Sequence, residues 1–263
     1  MSTTTRDDPP ASLPDAAGRN ASRPLAVVTG AAGGIGAAIC RRLAQDGFHV
    51  AATDISADAL QKVVDEIRAA GGSAQAAVVD LRDEASVAGF IAGLPRVDAV
   101  VNNAGIFDEC AFADLRAEDF TRHYDLNVIA TFRMVRQAVP KMGQGAKVVN
   151  IASRAYLGAR NHAHYVASKA AVVGLSRAMA IELLEAGISV NAVAPGLVDT
   201  PMLQALTPQR RAAQLALQPT GSAAKPADIA NAVAFLASPN THFITGQVLL
   251  VDGGKSLGGT VAL

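Results

Sequence analysis

The stretch Leu25-Ala26-Val27-Val28-Thr29-Gly30-Ala31-Ala32-Gly33-Gly34-Ile35-Gly36-Ala37-Ala38 decides the fold. A short apolar, β-branched run ends at Thr29, passes through a glycine-rich turn and enters an apolar pattern of helical period. Glycines there permit a tight turn and let backbone amides approach an anion such as a pyrophosphate. The helix that follows, entered through Ile35, presents its partially positive N-terminus to the same place. Gly30, Gly34 and Gly36 frame the turn, a spacing distinct from G-x-G-x-x-G.

Outward from this turn the chain alternates. Leu25–Thr29, Phe48–Thr53, Ala74–Val79, Val97–Val101, Lys147–Ile151, Ser189–Ala194 and Gln247–Val251 read as strands. Helical patterns at Gly36–Gln45, Asp58–Ala70, Phe120–Lys141, His164–Glu185 and Pro226–Ala237 lie between them. Such alternation implies parallel β-α-β units with right-handed crossovers, hence one α/β domain with a doubly wound sheet over residues 23–263. Residues 1–22, polar and without apolar periodicity, read as a flexible tail. The segment 197–225, with several prolines and short amphipathic pieces, reads as a lid over a site.

Bulk properties narrow the function. Half of the 263 residues are apolar, Trp is absent, and the formal net charge is zero. A core of Ala, Val, Leu and Ile suits a parallel sheet covered by helices. A neutral chain has little attraction for nucleic acid or an anionic membrane. Cys40, in an apolar helix pattern, and Cys110, in a loop, form no metal or redox motif. With no secretory leader and no apolar run long enough to span a bilayer, a cytoplasmic location is expected.

The strand ends carry further signals. Asp54 closes the second strand twenty residues after Gly34, where a carboxylate accepts hydrogen bonds from adenosine ribose hydroxyls. It would also repel a 2′-phosphate, and no Arg or Lys stands in the glycine turn to receive one, so NAD is expected over NADP. Asp80, after the third strand, offers a carboxylate to an adenine edge and Leu81 a backbone amide. Asn102-Asn103-Ala104-Gly105 follows the fourth, with small residues that let the backbone pass close to a cofactor.

Tyr165 and Lys169 are spaced i and i+4, so a helix places phenol and ammonium on one face. Ionising a free phenol at neutral pH costs roughly 4 kcal/mol, and a neighbouring cation lowers that cost. Of the three tyrosines, only Tyr165 has lysine at i+4; Tyr156 has Arg160, too basic to share protons in the same way. Ser153, twelve residues upstream, can hold a carbonyl or alkoxide oxygen against the phenol.

Together these residues resemble the classical short-chain dehydrogenase/reductase family. The resemblance runs from about Leu25 to Gly254 and rests on Thr29-Gly30-x-x-x-Gly34-x-Gly36, Asp80, Asn102-Asn103-Ala104-Gly105, Asn127, Ser153, Tyr165-x-x-x-Lys169 and Pro195-Gly196 with Thr200. It implies a seven-stranded parallel sheet of Rossmann type binding the dinucleotide at its C-terminal edge. It implies Tyr165 as general acid/base, Lys169 on the nicotinamide ribose and depressing the tyrosine pKa, and Ser153 orienting the substrate oxygen. Asn127 would hold a relay water, and Pro195, Gly196, Val198 and Thr200 would border the nicotinamide. Two departures stand out: a clipped segment through Phe90–Pro95, and the histidines His162 and His164 just before Tyr165.

For the substrate, Tyr156, Leu157 and His162 on one loop and Leu197, Met202, Leu203 and Leu206 on the lid suggest an apolar secondary alcohol or ketone. A 3-oxoacyl thioester reductase is the alternative, with Arg154 placed to pair with a carboxylate or a phosphopantetheine group. A non-catalytic nucleotide sensor fits poorly, because both Tyr165 and Lys169 are present. The apolar faces of Phe120–Lys141 and His164–Glu185, with the resemblance, imply a homotetramer, and Ser256–Leu263 is expected to pack on a neighbour.

Overall fold

The computed structural model describes residues 23–257, so the tail 1–22 and the last residues 258–263 lie outside the described residues. Seven parallel strands form one sheet in the order β3-β2-β1-β4-β5-β6-β7. They are β1 (Leu25–Thr29), β2 (His49–Asp54), β3 (Ser73–Val78), β4 (Val97–Asn102), β5 (Met142–Ile151), β6 (Ser189–Pro195) and β7 (Val248–Val251). The main helices are α1 (Gly34–Gln45), α2 (Ala57–Ala69), α3 (Glu84–Ala92), α4 (Ala117–Tyr124), α5 (Ala130–Ala138), α6 (Ala163–Glu182), α7 (Pro201–Gln204), α8 (Pro208–Ala216) and α9 (Pro226–Ala237). This is the Rossmann-type doubly wound domain that the alternation implies.

Strand alternation sorts side chains onto two cores. Ala26 and Val28 of β1 face the layer of α1, α2 and α9, where Ile39, Leu43, Leu60 and Ile229 are fully buried. Val27 faces the opposite layer, with Met134, Val135 and Ile188. Every residue of β1 is buried, as expected of a central strand covered on both faces. Chain order reverses between β1 and β4, and a crevice opens at that switch point, at the C-terminal ends of the strands.

Two readings of the chain are corrected. Phe120–Lys141 is not one regular helix: α4 and α5 are separated by a π-helical turn, Asp125–Ile129. Of its two buried members, Asn127 bonds sideways to another segment, and side-chain demand of this kind often sits at π-bulges. The segment before β4 contains α3, a nine-residue helix missing from the sequence reading. Its burial is confined to Val87 and Ile91, so little periodicity marks it. The 197–225 segment holds α7 and α8, and a parallel bridge between Val198 and Ala224 closes its two ends.

Candidate active site

The glycine turn is built for close approach. Gly30 and Gly34 have φ of +62° and +54°, in the left-handed region that favours glycine. A Cβ on Gly36 would stand 2.0 Å from the Gly30 carbonyl oxygen, so α1 can leave the turn only without a side chain there. At Gly33 a Cβ would meet nothing within 4 Å. Gly33 thus faces open space in the crevice, beside the start of α1. This is the concavity that a pyrophosphate needs. Asn103 secures the turn from β4: its Nδ2 donates to the carbonyls of Thr29 and Gly30, at 3.1 and 2.9 Å. The amides of Asn103 and Ala104 donate to Thr29 Oγ1.

The crevice has a volume of about 690 Å³. Gly30, Gly34, Ile35, Asp54, Asn103, Ala104, Gly105, Ser153, His162, Tyr165, Lys169, Pro195, Gly196, Leu197, Val198, Thr200, Met202, Leu203 and Leu206 all line it, each a residue singled out in the sequence. Asp54 Oδ2 accepts from the Ala32 amide at 3.0 Å and Oδ1 from the Ser56 amide at 3.1 Å, which fixes the carboxylate against the turn. At Gly196, a Cβ would collide with Asp252 at 2.8 Å, so the chain after β6 packs tightly under the crevice.

At the inner end, Ser153 caps a short 3-10 turn, its Oγ accepting from the Ala155 amide at 3.1 Å. Burial raises the Tyr165 phenol above its usual value, and a hydrogen bond with Ser153 draws it back. Lys169 Nζ stands 5.8 Å over the Tyr165 ring centroid and donates to the Ile151 carbonyl at 2.8 Å. Burial brings its pKa down to about 8. Desolvation dominates both groups, and the ammonium lies over the ring face.

Asn127 is buried behind this pair. Its Oδ1 accepts from the Ile106 amide at 2.8 Å, and its Nδ2 donates to the Ile106 carbonyl and to Ser168 Oγ, at 3.1 and 3.0 Å. A Cβ on Gly105 would lie 2.8 Å from Asn127 Oδ1 and 3.5 Å from Lys169 Nζ, which brings asparagine and lysine to the same spot. Asn102, Asn150 and Ser176 form a buried ladder across β4, β5 and α6, with both side-chain bonds at 2.8 Å.

Six sequence-selected residues stand outside the crevice walls: Gly36 and Asn127, described above, and four others. Asp80 and Leu81 follow β3; the Asp80 carboxylate pairs with Arg82 at 3.1 Å, and Leu81 is buried, its carbonyl accepting from Arg133. Tyr156 packs against the small core of Val128, Ala152, Val172, Ala192 and Ala194, and Leu157 points to solvent. The 3-10 turn after Ser153 aims both away from the crevice. Conversely, Ile106, Phe107, Glu109, Gln214, Gln218 and Lys255 line it without having been singled out. Phe107 stacks on His162 at 4.9 Å and meets Tyr165 edge-on at 5.0 Å. The position of Phe107 just after Asn102–Gly105 was the available signal. Arg154 and Lys255 share one wall, and burial, then the Arg154 charge, lowers the Lys255 pKa.

The chain is similar to several known proteins. A family model described as enoyl-(acyl carrier protein) reductase matches residues 30–256. The (2S)-[(R)-hydroxy(phenyl)methyl]succinyl-CoA dehydrogenase subunit BbsD of Thauera aromatica is 41% identical over 89% of this chain and 96% of its own length. A 3-oxoacyl-[acyl-carrier-protein] reductase of Rickettsia bellii is 36% identical over 87% of this chain and 95% of its own. The crystal structure of a variant actinorhodin polyketide ketoreductase with NADPH superposes with a TM-score of 0.83 at 32% identity, covering 89% of this chain and 97% of that one. The chain belongs to the classical short-chain dehydrogenase/reductase family. It is an oxidoreductase that uses NAD or NADP on a carbonyl or alcohol group. No helix among the described residues is long and apolar enough to cross a membrane.

Proposed function

We propose that this enzyme interconverts a 3-oxoacyl thioester and its 3-hydroxyacyl thioester, with NAD(H) as the cofactor. The observation that carries this reading is the meeting of Ser153 and Tyr165 with the cations Arg154 and Lys255 in one crevice. A carbonyl oxygen placed between the two hydroxyls leaves the charged part of an acyl carrier, or of an acyl group, to the basic wall. Two of the similar proteins are named for acyl thioester substrates, which supports the choice.

The bound dinucleotide would supply or accept the hydride. In reduction, Tyr165 gives its phenolic proton to the carbonyl oxygen while Ser153 orients that oxygen; in oxidation, the phenolate takes the hydroxyl proton. Lys169 holds the nicotinamide ribose, and burial brings its pKa down to about 8. Asn127 positions Lys169 and completes a proton exit. Gly30, Gly34, Ile35 and Gly36 seat the pyrophosphate, with Asn103, Ala104, Gly105, Pro195, Gly196, Val198 and Thr200 around the nicotinamide half. Asp54 favours NAD over NADP by repelling a 2′-phosphate. Asp80 and Leu81 are kept for the adenine on the family pattern alone, since they lie outside the crevice walls.

A second reading is an apolar secondary alcohol or ketone, favoured by Leu197, Met202, Leu203 and Leu206 in the crevice; Tyr156 and Leu157 lend it no support from their positions. NADH oxidation with acetoacetyl-CoA, against NAD reduction with a panel of cyclic and aromatic alcohols, separates the two. Turnover of the thioester at least tenfold more efficient than of any alcohol supports the first, and the reverse order the second. A homotetramer in the cytoplasm completes the proposal; exposed Ile129, Phe132 and Ile181 offer apolar surface for assembly.

A further inference from the structure

We infer that Asp108, His123 and His164 form a binding site for a divalent metal ion of the zinc type, behind the helix that carries Tyr165. One ligand atom from each residue lies within 4.8 Å of the other two. None of the three lines the crevice, and none has a place in the hydride chemistry. The loop after β4 supplies Asp108, α4 supplies His123 and α6 supplies His164, so the cluster joins three separate segments.

The hydrogen bonding around the cluster leaves ligand atoms pointed inward. His123 is fully buried, and its Nδ1 is bonded to the Asp119 carbonyl at 2.9 Å. That bond makes Nδ1 the protonated nitrogen and leaves a lone pair on Nε2. Nε2 has no hydrogen-bond partner among the described residues and stands 3.6 Å from Asp108 Oδ1. A buried lone pair facing a carboxylate oxygen is unfavourable unless a proton or a cation lies between them. His164, also fully buried, contacts the same oxygen through Nε2 at 2.5 Å.

The surroundings of His123 and Asp108 match those of metal-binding histidines and carboxylates, whereas His164 Nδ1 has no partner among the described residues. A ligating histidine commonly gives its other N–H to a backbone carbonyl, as His123 does, and a ligating carboxylate is itself hydrogen-bonded. Asp108 Oδ2 accepts from Arg122 at 2.6 Å, which turns Oδ1 toward the imidazoles. The Arg122 charge is offset by Asp119, 3.5 Å away. Two imidazoles and a carboxylate suit zinc, with bonds of about 2.0–2.2 Å and a water as fourth ligand. Tetrahedral ligands at that radius lie roughly 3.3 Å apart, so side-chain shifts of about 1 Å or less seat the ion. Asp108 is part-exposed, which gives the ion an entry path. Because His164 immediately precedes Tyr165, an ion there would fix the start of α6 to α4.

The test uses untagged full-length protein, equilibrated with zinc chloride, passed into metal-free buffer and assayed for metal by elemental mass spectrometry. One zinc retained per chain, a zinc-dependent rise in Tm, and at least a tenfold loss of affinity in folded His123→Gln are expected. No zinc retained above background, or equal retention in His123→Gln, overturns the site. Should His123→Gln fail to fold, cobalt(II) titration of the unaltered protein decides. Intense visible bands of a four-coordinate site support it, and the weak spectrum of hydrated cobalt contradicts it.

Discussion

Lys169 Nζ lies 5.8 Å above the Tyr165 ring and donates to the Ile151 carbonyl, so the lysine approaches the ring face. Both groups are shaped first by desolvation, which pushes the phenol up and the ammonium down to about 8. The serine hydroxyl, by contrast, acts directly on the phenol.

A pH-dependent stability follows from the lysine. Burial lowers its folded pKa, so between about pH 8 and 10.5 the unfolded chain binds this proton more tightly than the folded one. Stability from this group therefore rises with pH across that window and is flat below it. The charged form costs the fold roughly 3 kcal/mol at pH 7, partly offset by the bond to Ile151. Lys169→Met, inactive, should be about 1–3 kcal/mol more stable than the parent at pH 7, with the gap closing by pH 10. Urea denaturation at the two pH values checks this; an equal gap at both is the contrary outcome.

Two glycines in one turn should respond in opposite ways to the same change. Gly36→Ala drives a Cβ to 2.0 Å from the Gly30 carbonyl and should cost about 3 kcal/mol or more, or prevent folding. Gly33→Ala meets nothing within 4 Å, so its Tm should stay near that of the parent while its methyl narrows the phosphate seat and weakens NADH binding about tenfold or more. Thermal melts and NADH fluorescence titrations report the two effects separately.

Asp54 governs the dinucleotide preference in this account. Replacing it with Ala removes a like charge from the neighbourhood of a 2′-phosphate and frees the Ala32 and Ser56 amides. The ratio of kcat/KM for NADH over NADPH should fall at least tenfold. A ratio that does not move removes Asp54 from that role.

The fold was legible because β1, the glycine turn and α1 each repeat one message: a fully apolar strand, a turn that excludes side chains at Gly36, and a helix whose buried stripe includes Ile39, Cys40 and Leu43. The positions of Ser153, Tyr165, Lys169 and Asn103 were legible too, and these residues converge on one crevice. Side-chain direction was less so. Tyr156 and Leu157 lie one and two residues from the crevice-lining Ala155, but a 3-10 turn aims them elsewhere. Helix α3 was hidden because its apolar residues lack a strong helical stripe, and the π-helical turn because it is set by Asn127 reaching Ile106 across the fold. Asp108, His123 and His164 are separated by up to 56 residues, so only the folded chain brings them together.

The central claim, that Tyr165 moves the proton in reduction of a 3-oxoacyl thioester, is tested most directly by a single-turnover reaction of enzyme, NADH and acetoacetyl-CoA. The parent should oxidise NADH and form 3-hydroxybutyryl-CoA, while Tyr165→Phe should bind NADH with unchanged affinity and react slower by about 10²–10⁴-fold. A Tyr165→Phe enzyme that turns over at the parental rate, or a parent that binds NADH yet leaves the thioester untouched, would contradict it.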